Sequence, residues 1–572
     1  MKKRVSQYVN DNTIYRICFS VLAFIIIIIT FSCSKDKGNY SYKDINLITV
    51  SATKTNAATG KPDSLWLKQS DTLSMELTLT QTQTSNDLSY SWYLTQTSSS
   101  AVNPKQFILG TTTVLKAVVN VLPGNYQLVC KITDNNDNVS AFKYYKLTVG
   151  AAPWGGQGWL VLQDQSATKN GNDISLIGTL DGSIHGDVYH NLYSITNGHK
   201  LPMGTNLINV ADYVSAINTQ KISFIYGNGG VEVNFFNYAD TAYINNLFLI
   251  TPSVINIQAN FCRSQGLYEM LVNNGILYFR IVSAGTIKTP PIYYGAPVVG
   301  SWYANPNILT VDGSSDKSMT IYDDANKCFL EYYAAANYLC PSSRADIPNQ
   351  HFVAYSGGAA NLLPTAKGFD MNNIRQTLLF ADNAQRLQFT AAPLTTQLYW
   401  NCFFRNSQKD STFIYQIPAI NAVTGYTNNF TSGRYYLDKN KCPGINTANL
   451  FAVPTHLTVP GGGFYYTNAN QIYFCPLSAA AAQGASTASL GYAFATGTII
   501  KVMKVLKTTF LTAPANEGKV LVVATDETAN GNGNNVYYFN LSSTGTIVTP
   551  YVDKYTGFDK IVDIAFKKYV GQ

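Results

Sequence analysis

From residue 159 to the C-terminus one pattern keeps returning: a strand-length apolar run, a tight turn of Asn, Gly or Asp, and a second apolar run. Its clearest copy is near the end, with Gly497–Val505, Lys519–Asp526 and Val536–Asn540 as strands, a Gly/Asn turn at Asn530–Asn535, and Gly545–Val548 as an expected fourth. Comparable hairpins are expected at Trp159–Ile177, Ile222–Phe236, Leu267–Ile281, Met319–Tyr332, Leu378–Phe389, Phe413–Leu437 and Phe464–Cys475. That makes eight units between residues 151 and 572, spaced by about 50 residues, the signature of a radial repeat in which no unit buries its faces alone. The expectation is a β-propeller of seven or eight blades, with a pair of large β-sandwiches as the rival. Lys560–Phe566 is a lone terminal strand, and Trp159–Leu162 opens the domain without an innermost strand before it, so the last strand is expected to complete the first blade.

Composition agrees with an all-β chain. Its 39 Tyr and 28 Phe exclude disorder, and charged residues at 13% are too few for a coiled coil or helical bundle. The formal charge of +7 is concentrated at the start: Lys2, Lys3, Arg4 and Arg16 against Asp11 give the first 32 residues +3, leaving +4 for the rest. Without a dense Lys/Arg run in the interior, the electrostatic footprint of a nucleic-acid binder is missing. Seven of the nine cysteines lie beyond Cys33, an odd number without a CxxC, and several sit inside apolar runs. This argues against a disulfide framework or a structural zinc site and for cysteine as a small buried hydrophobe.

Residues 1–32 read as a signal peptide: a basic start, then an apolar run from Ile17 to Ile29, too short to span a bilayer comfortably. Thr30-Phe31-Ser32-Cys33 resembles a bacterial lipobox, which implies an acylated Cys33 as first mature residue and a tether over 33–43. Two or three acyl chains anchor a protein stably where one does not. Ser34-Lys35-Asp36-Lys37 loosely resembles the charged tetrapeptides that send Bacteroidota lipoproteins to the outer face of the outer membrane.

Residues 44–150 carry short alternating runs at Asn46–Ala52, Leu73–Leu79, Leu88–Leu94, Phe107–Val119, Tyr126–Thr133 and Ala141–Val149. Strands of this length between Gly, Pro, Asn and Asp turns predict an immunoglobulin-like β-sandwich with Trp92 packed near Cys130. Asp134-Asn135-Asn136-Asp137-Asn138 is read as turn chemistry in preference to a Ca²⁺ site. The phrase Asp36-Lys37-Gly38-Asn39-Tyr40-Ser41-Tyr42-Lys43-Asp44-Ile45-Asn46, followed by Ser89-Tyr90-Ser91-Trp92-Tyr93 and Gly124-Asn125-Tyr126, resembles the PKD-like family lipoproteins of Bacteroidota. The resemblance covers about the first 150 residues and implies a setting beside a SusC/SusD-type uptake pair. The segment from Ala151 to Gly158, rich in Gly and small residues, marks the start of the second unit, 151–572.

Catalytic motifs are absent: the chain has no G-x-S-x-G elbow, H-E-x-x-H helix, Walker loop or dinucleotide fingerprint. His185, Asp187, His190 and His199 cluster in sequence, but His185 and His190 fall on opposite faces of one strand, so no metal set is assigned. Acids are scattered, although carboxylates distant in sequence can still meet in a cleft. Aromatic residues in loop-like stretches are the better lead: Trp154, Trp159, Tyr293, Tyr294, Trp302, Tyr303 and Trp400 are the candidate ligand-binding residues, since flat faces with a polar tip suit sugar rings or peptide side chains. No catalytic residue or cofactor is assigned. The expected protein is an outer-membrane lipoprotein, facing outward, that captures a nutrient glycan or peptide for a SusC/SusD-like importer. A cell-surface hydrolase with its site in the propeller funnel, or a structural accessory subunit of the importer, are the alternatives.

Overall fold

The computed structural model describes Arg16 and residues 19–22, 44–50, 63–85, 87–97, 106–119, 121, 123–179, 186–213, 219–262, 268–281, 293–298, 300–307, 309–310, 318–333, 352–354, 374–383, 399–418, 433–459, 462–477, 484–507 and 516–568. Cys33, the tether segment, the rest of the signal segment and His185 lie outside these residues. The chain forms two compact units, the first built from residues up to 148 and the second from 149 onward, which also takes in 67–71 and 120–124.

The first unit is built on a five-stranded sheet in the order Ser64–Lys68, Ser140–Gly150, Gly124–Asp134, Leu88–Gln96 and Gln106–Gly110, with two smaller sheets, Thr72–Glu76 beside Val114–Val118 and Ile48–Val50 beside Leu79–Gln81. Alternation sends Trp92, Leu94, Leu128, Cys130, Ile132 and Leu147 into the core. Trp92 stands directly opposite Cys130 across the sheet, as the sequence predicts. Two expectations change. The run Phe107–Val119 is not one strand, because Thr111-Thr112-Thr113 turns the chain into a different sheet, and the Trp92 indole N–H fixes that turn by donating to the Thr112 carbonyl at 2.9 Å. The run Leu73–Leu79 is likewise split, Thr72–Glu76 pairing with Val114–Val118 and Leu79–Gln81 with Ile48–Val50, while the strand Ser64–Lys68, with Leu67 its single buried position, carries no periodicity to detect.

Seven antiparallel sheets make up the second unit among the described residues. The first holds Gly158–Asp164, Asn172–Gly178 and Val188–Tyr189, and Lys560–Lys567 from the far end of the chain pairs with its opening strand, Trp159 opposite Phe566 and Val161 opposite Ile564. The expected closure is therefore present. The other sheets follow in chain order, beginning at Thr205, Ile257, Leu309, Thr377, Phe451 and Ile499.

The ring closes through seven apolar cores, one between each pair of neighbouring sheets. Alternate residues of one strand serve two of them. In Gly158–Asp164, Trp159 and Val161 face the seventh sheet while Leu160 and Leu162 face the second. In Tyr399–Arg405, Cys402 and Phe404 pack toward the fourth sheet and Phe403 toward the sixth. Val520 and Val522 face the first sheet and Leu521 and Val523 the sixth. Covered on both faces, these strands read as continuous apolar runs with no polar phase. The opening strands lie side by side, Lys560–Lys567 between Thr205–Tyr213 and Ile499–Val505, and so line the axis of the ring.

Seven sheets correct the count of eight hairpins. Leu378–Phe389 and Phe413–Leu437 are not two blades: Thr377–Asn383, Tyr399–Arg405, Thr412–Pro418 and Gly433–Leu437 form one sheet. The long connections between these strands made one blade look like two. The fourth strand of the last sheet is Asp553–Phe558, not Gly545–Val548, where Ile547 makes only an isolated bridge to Leu541. Local turn chemistry is used directly: Asn274-Gly275 joins Tyr268–Asn273 to Ile276–Ile281 with φ of 49° and 70°, the two left-handed residues of a primed hairpin turn.

Candidate binding face

The ring does not gather the seven aromatic candidates into one place. Trp159 is buried between the seventh and first sheets against Phe566. Tyr294 is buried between the second and third, Trp302 packs between the third and fourth, and Trp400 between the fourth and fifth. Trp154 packs against the core of the first and second sheets beside Tyr189. Tyr293 and Tyr303 are the exposed ones. The Tyr303 ring lies over Gly275, where a Cβ would stand 2.3 Å from it, so this ring caps a turn. Apart from the exposed Tyr293, these aromatics are lids or core residues spread over several inter-blade cores.

Carboxylates do meet, as their scatter in sequence left open. Glu232 and Glu269 lie between the second and third sheets, clamped by Lys221 and Arg280, all four almost wholly buried. Lys221 donates to both Glu269 oxygens at 2.9 Å, Arg280 Nε donates to Glu269 Oε2 at 2.8 Å, and the Tyr294 hydroxyl donates to Glu269 Oε1 at 2.8 Å. Arg280 also reaches Glu232 and stacks over the Tyr294 ring at 4.7 Å. Burial, reinforced by Glu269, raises the Glu232 carboxyl well above its usual range. Each acid is thus saturated by fixed cations, which is the chemistry of an inter-blade clamp and not of a paired-carboxylate glycosidase site open to water.

The charges along the axis are paired in the same way. Asp563 accepts from Lys504 Nζ at 2.7 Å and from the Ile208 backbone N–H at 2.9 Å, tying together the first, second and seventh sheets. Lys507 pairs with Asp382 at 2.6 Å and donates to the Asn383 carbonyl at 2.9 Å, reaching from the seventh sheet to the fifth. The histidines separate: His190 Nδ1 is 2.9 Å from Ser175 Oγ, whereas His199 faces Asp240. Among the described residues no group of three His, Cys, Asp or Glu is arranged to hold a metal ion. The Asp134 turn behaves as its sequence suggests, Oδ1 accepting from the N–H groups of Asn136 and Asp137 while Oδ2 accepts from Asn46.

An open aromatic surface does exist, in the first unit. On the five-stranded sheet the face opposite the core displays Phe142 and Tyr144, 45% and 49% exposed, from one strand; their rings are 6.1 Å apart and within 9° of parallel. Trp66, 57% exposed, projects from the neighbouring edge strand, where Leu67 takes the buried phase. Toward the other edge, Tyr93 stands opposite Ile108. A shallow groove of about 410 Å³ runs over this face, lined by Ser89, Tyr90, Ser91, Tyr93, Gln106, Lys131, Thr133 and Phe142. In Ala141–Val149 the signal was present: Phe142 and Tyr144 occupy the phase opposite Tyr145, Leu147 and Val149, so a one-face strand shows aromatic residues to both sides.

The profile of the PKD-like family matches residues 33–204, the sandwich together with the opening strands of the ring. No curated protein sequence matches the chain. Among solved structures, a quinonprotein alcohol dehydrogenase-like protein from Bacteroides thetaiotaomicron VPI-5482 is 11% identical over 90% of this chain and 99% of its own, with a TM-score of 0.40. The periplasmic gluconolactonase of Pseudomonas aeruginosa is 10% identical over 72% of this chain and 99% of its own, with a TM-score of 0.41. By its own sheet order and its inter-sheet cores, the chain is an all-β protein in which a PKD-like sandwich precedes a β-propeller with seven blades among the described residues.

Proposed function

We propose that this protein is a cell-surface lipoprotein, anchored through Cys33 at the outer membrane, that captures a nutrient glycan or peptide without transforming it and hands it to a SusC/SusD-type importer. The observation that carries this reading is the open face of the PKD-like sandwich, where parallel, half-exposed aromatic rings adjoin a groove lined by hydroxyl, amide and ammonium groups. Rigid rings supply contact area at low entropic cost, and the polar rim sets orientation. The buried state of Glu232 and Glu269 turns the reading away from hydrolysis.

Tethering supplies the mechanism. A weak site held near the importer works at a high effective concentration, so capture needs no tight binding. The test is co-purification of a C-terminally tagged chain from gently solubilised native membranes, with mass spectrometry of its companions. A SusC/SusD-like pair is the expected result. Its absence from cells in which Cys33 is shown to be acylated and surface-exposed would refute delivery to an importer.

A further inference from the structure

We propose that the outer face of the five-stranded sheet binds an acidic glycan, one bearing uronate or sulfate groups, laid across Trp66, Tyr144, Phe142 and Tyr93 with Lys131 and Lys146 meeting its anions. This rests on the capture reading and names its ligand class. Three features of the face carry it.

The first is charge. Alternation places Lys131, from the groove itself, and Lys146, which follows Phe142 and Tyr144 in phase, on the open side of the sheet. The five strands contain a single carboxylate, Asp134, and it is wholly buried and occupied by Asn46, Asn136 and Asp137. Lys143, in the opposite phase, is the lysine that does find an acid, Asp63 at 2.7 Å. The five strands therefore give this face two lysines and no outward carboxylate of their own, a balance that attracts an anion and repels a cation.

The second feature is shape. Phe142 and Tyr144 stack in parallel, 6.1 Å apart, and Phe142 lines a wide, shallow groove beside them; a pyranose ring offers a flat apolar face that suits such aromatic surfaces. A bound peptide strand would instead add to a sheet edge, where backbone N–H and C=O groups are free; the edges here are Ser64–Lys68 and Gln106–Gly110, and the aromatic residues stand on the face between them.

The third is the hydrogen-bonding character of the floor. Ser89, Ser91, Thr133 and Gln106 each both donate and accept, as sugar hydroxyls do, and Thr133 and Ser140 are already 3.0 Å apart in such a pair. A face meant to bury against another protein would be drier at its centre than this.

Native gels containing polygalacturonate, alginate or chondroitin sulfate, run beside neutral galactan and polyglutamate gels, test the proposal on the detergent-solubilised mature protein. Retardation by at least one acidic polysaccharide, and by neither control, is expected. The double variant F142A/Y144A should weaken it about tenfold, the loss of one or two stacking contacts, while the protein still unfolds cooperatively because both rings are half-exposed and outside the core. K131A/K146A should weaken it about tenfold as well and abolish its decline with added salt. Equal retardation by polyglutamate, indifferent to F142A/Y144A, would overturn the assignment in favour of plain charge attraction. Retardation by galactan alone, lost in F142A/Y144A, would overturn the acidic class and leave capture standing. No retardation in any gel would remove the glycan assignment, and importer co-purification then decides whether capture itself survives.

Discussion

Lys567 is fully buried, and among the described residues its amine meets no carboxylate: it donates to the Tyr238 hydroxyl at 3.0 Å and the Trp154 carbonyl at 3.3 Å, over the rings of Phe235 and Tyr238 at 4.3 and 4.5 Å. Two ring faces favour an ammonium by about 2 kcal/mol each when desolvated, but burial of an ion costs several kcal/mol. Burial prevails and holds the amine well below the usual lysine value. Between that lowered value and about 10.4 the unfolded chain keeps a proton that the folded chain has released, so stability rises with pH through this window. Chemical denaturation at pH 7 and pH 10 should show the wild type gaining on Lys567→Met as pH rises, with the variant at least as stable at pH 7. A parallel pH response in the two would refute it. Nothing in the sequence around Ala565-Phe566-Lys567 marks this lysine; only the convergence of Trp154, Phe235 and Tyr238 removes its water.

Neighbouring blades are held by apolar cores, and between the second and third sheets also by the four-charge clamp. Such a clamp stabilises little relative to apolar packing, yet losing one member strands the others without compensation. Arg280→Ala should therefore lower stability by about 3–5 kcal/mol, read in urea denaturation, whereas Arg280→Lys should recover part of it through one remaining contact. A loss under 1 kcal/mol would mean that water compensates the acids. The same element shows where sequence reading stops. Each strand of the clamp, such as Thr219–Tyr226 or Tyr268–Asn273, is legible as a strand from its apolar phase, but Lys221, Glu232, Glu269 and Arg280 are separated by up to dozens of residues and look like ordinary surface charge until the sheets are stacked.

Ring closure is a property of the whole propeller. Ile561, Ile564 and Phe566 are buried against the seventh and first sheets, and burial of each such side chain contributes about 1.5–3 kcal/mol. Their sum approaches the whole stability of an ordinary domain, about 5–15 kcal/mol, and the two strand edges opened by their loss invite aggregation. A chain ending at Asp559 should be recovered mainly as aggregate, as judged by gel filtration. Asp563→Ala, which loses Lys504 and the Ile208 N–H together, should keep the ring closed but lower its unfolding midpoint. A soluble, cooperative Asp559 truncation would show that closure is dispensable.

The sequence by itself determined what is local. Period-two alternation and Asn-Gly turns specified an all-β chain, the Trp92–Cys130 pairing phase, and a last strand that belongs with the first, because strand propensity and side-chain phase are written within a few residues. The tertiary structure decided what depends on neighbours. It set seven blades among the described residues where eight hairpins left seven or eight open, sent Trp159, Tyr294 and Trp400 into or onto cores, and left Phe142 and Tyr144 uncovered on the sandwich. An aromatic residue in a strand has the same local pattern whether a second sheet covers it or water does; the difference lies in what packs on top, and that is supplied by residues far away in the chain.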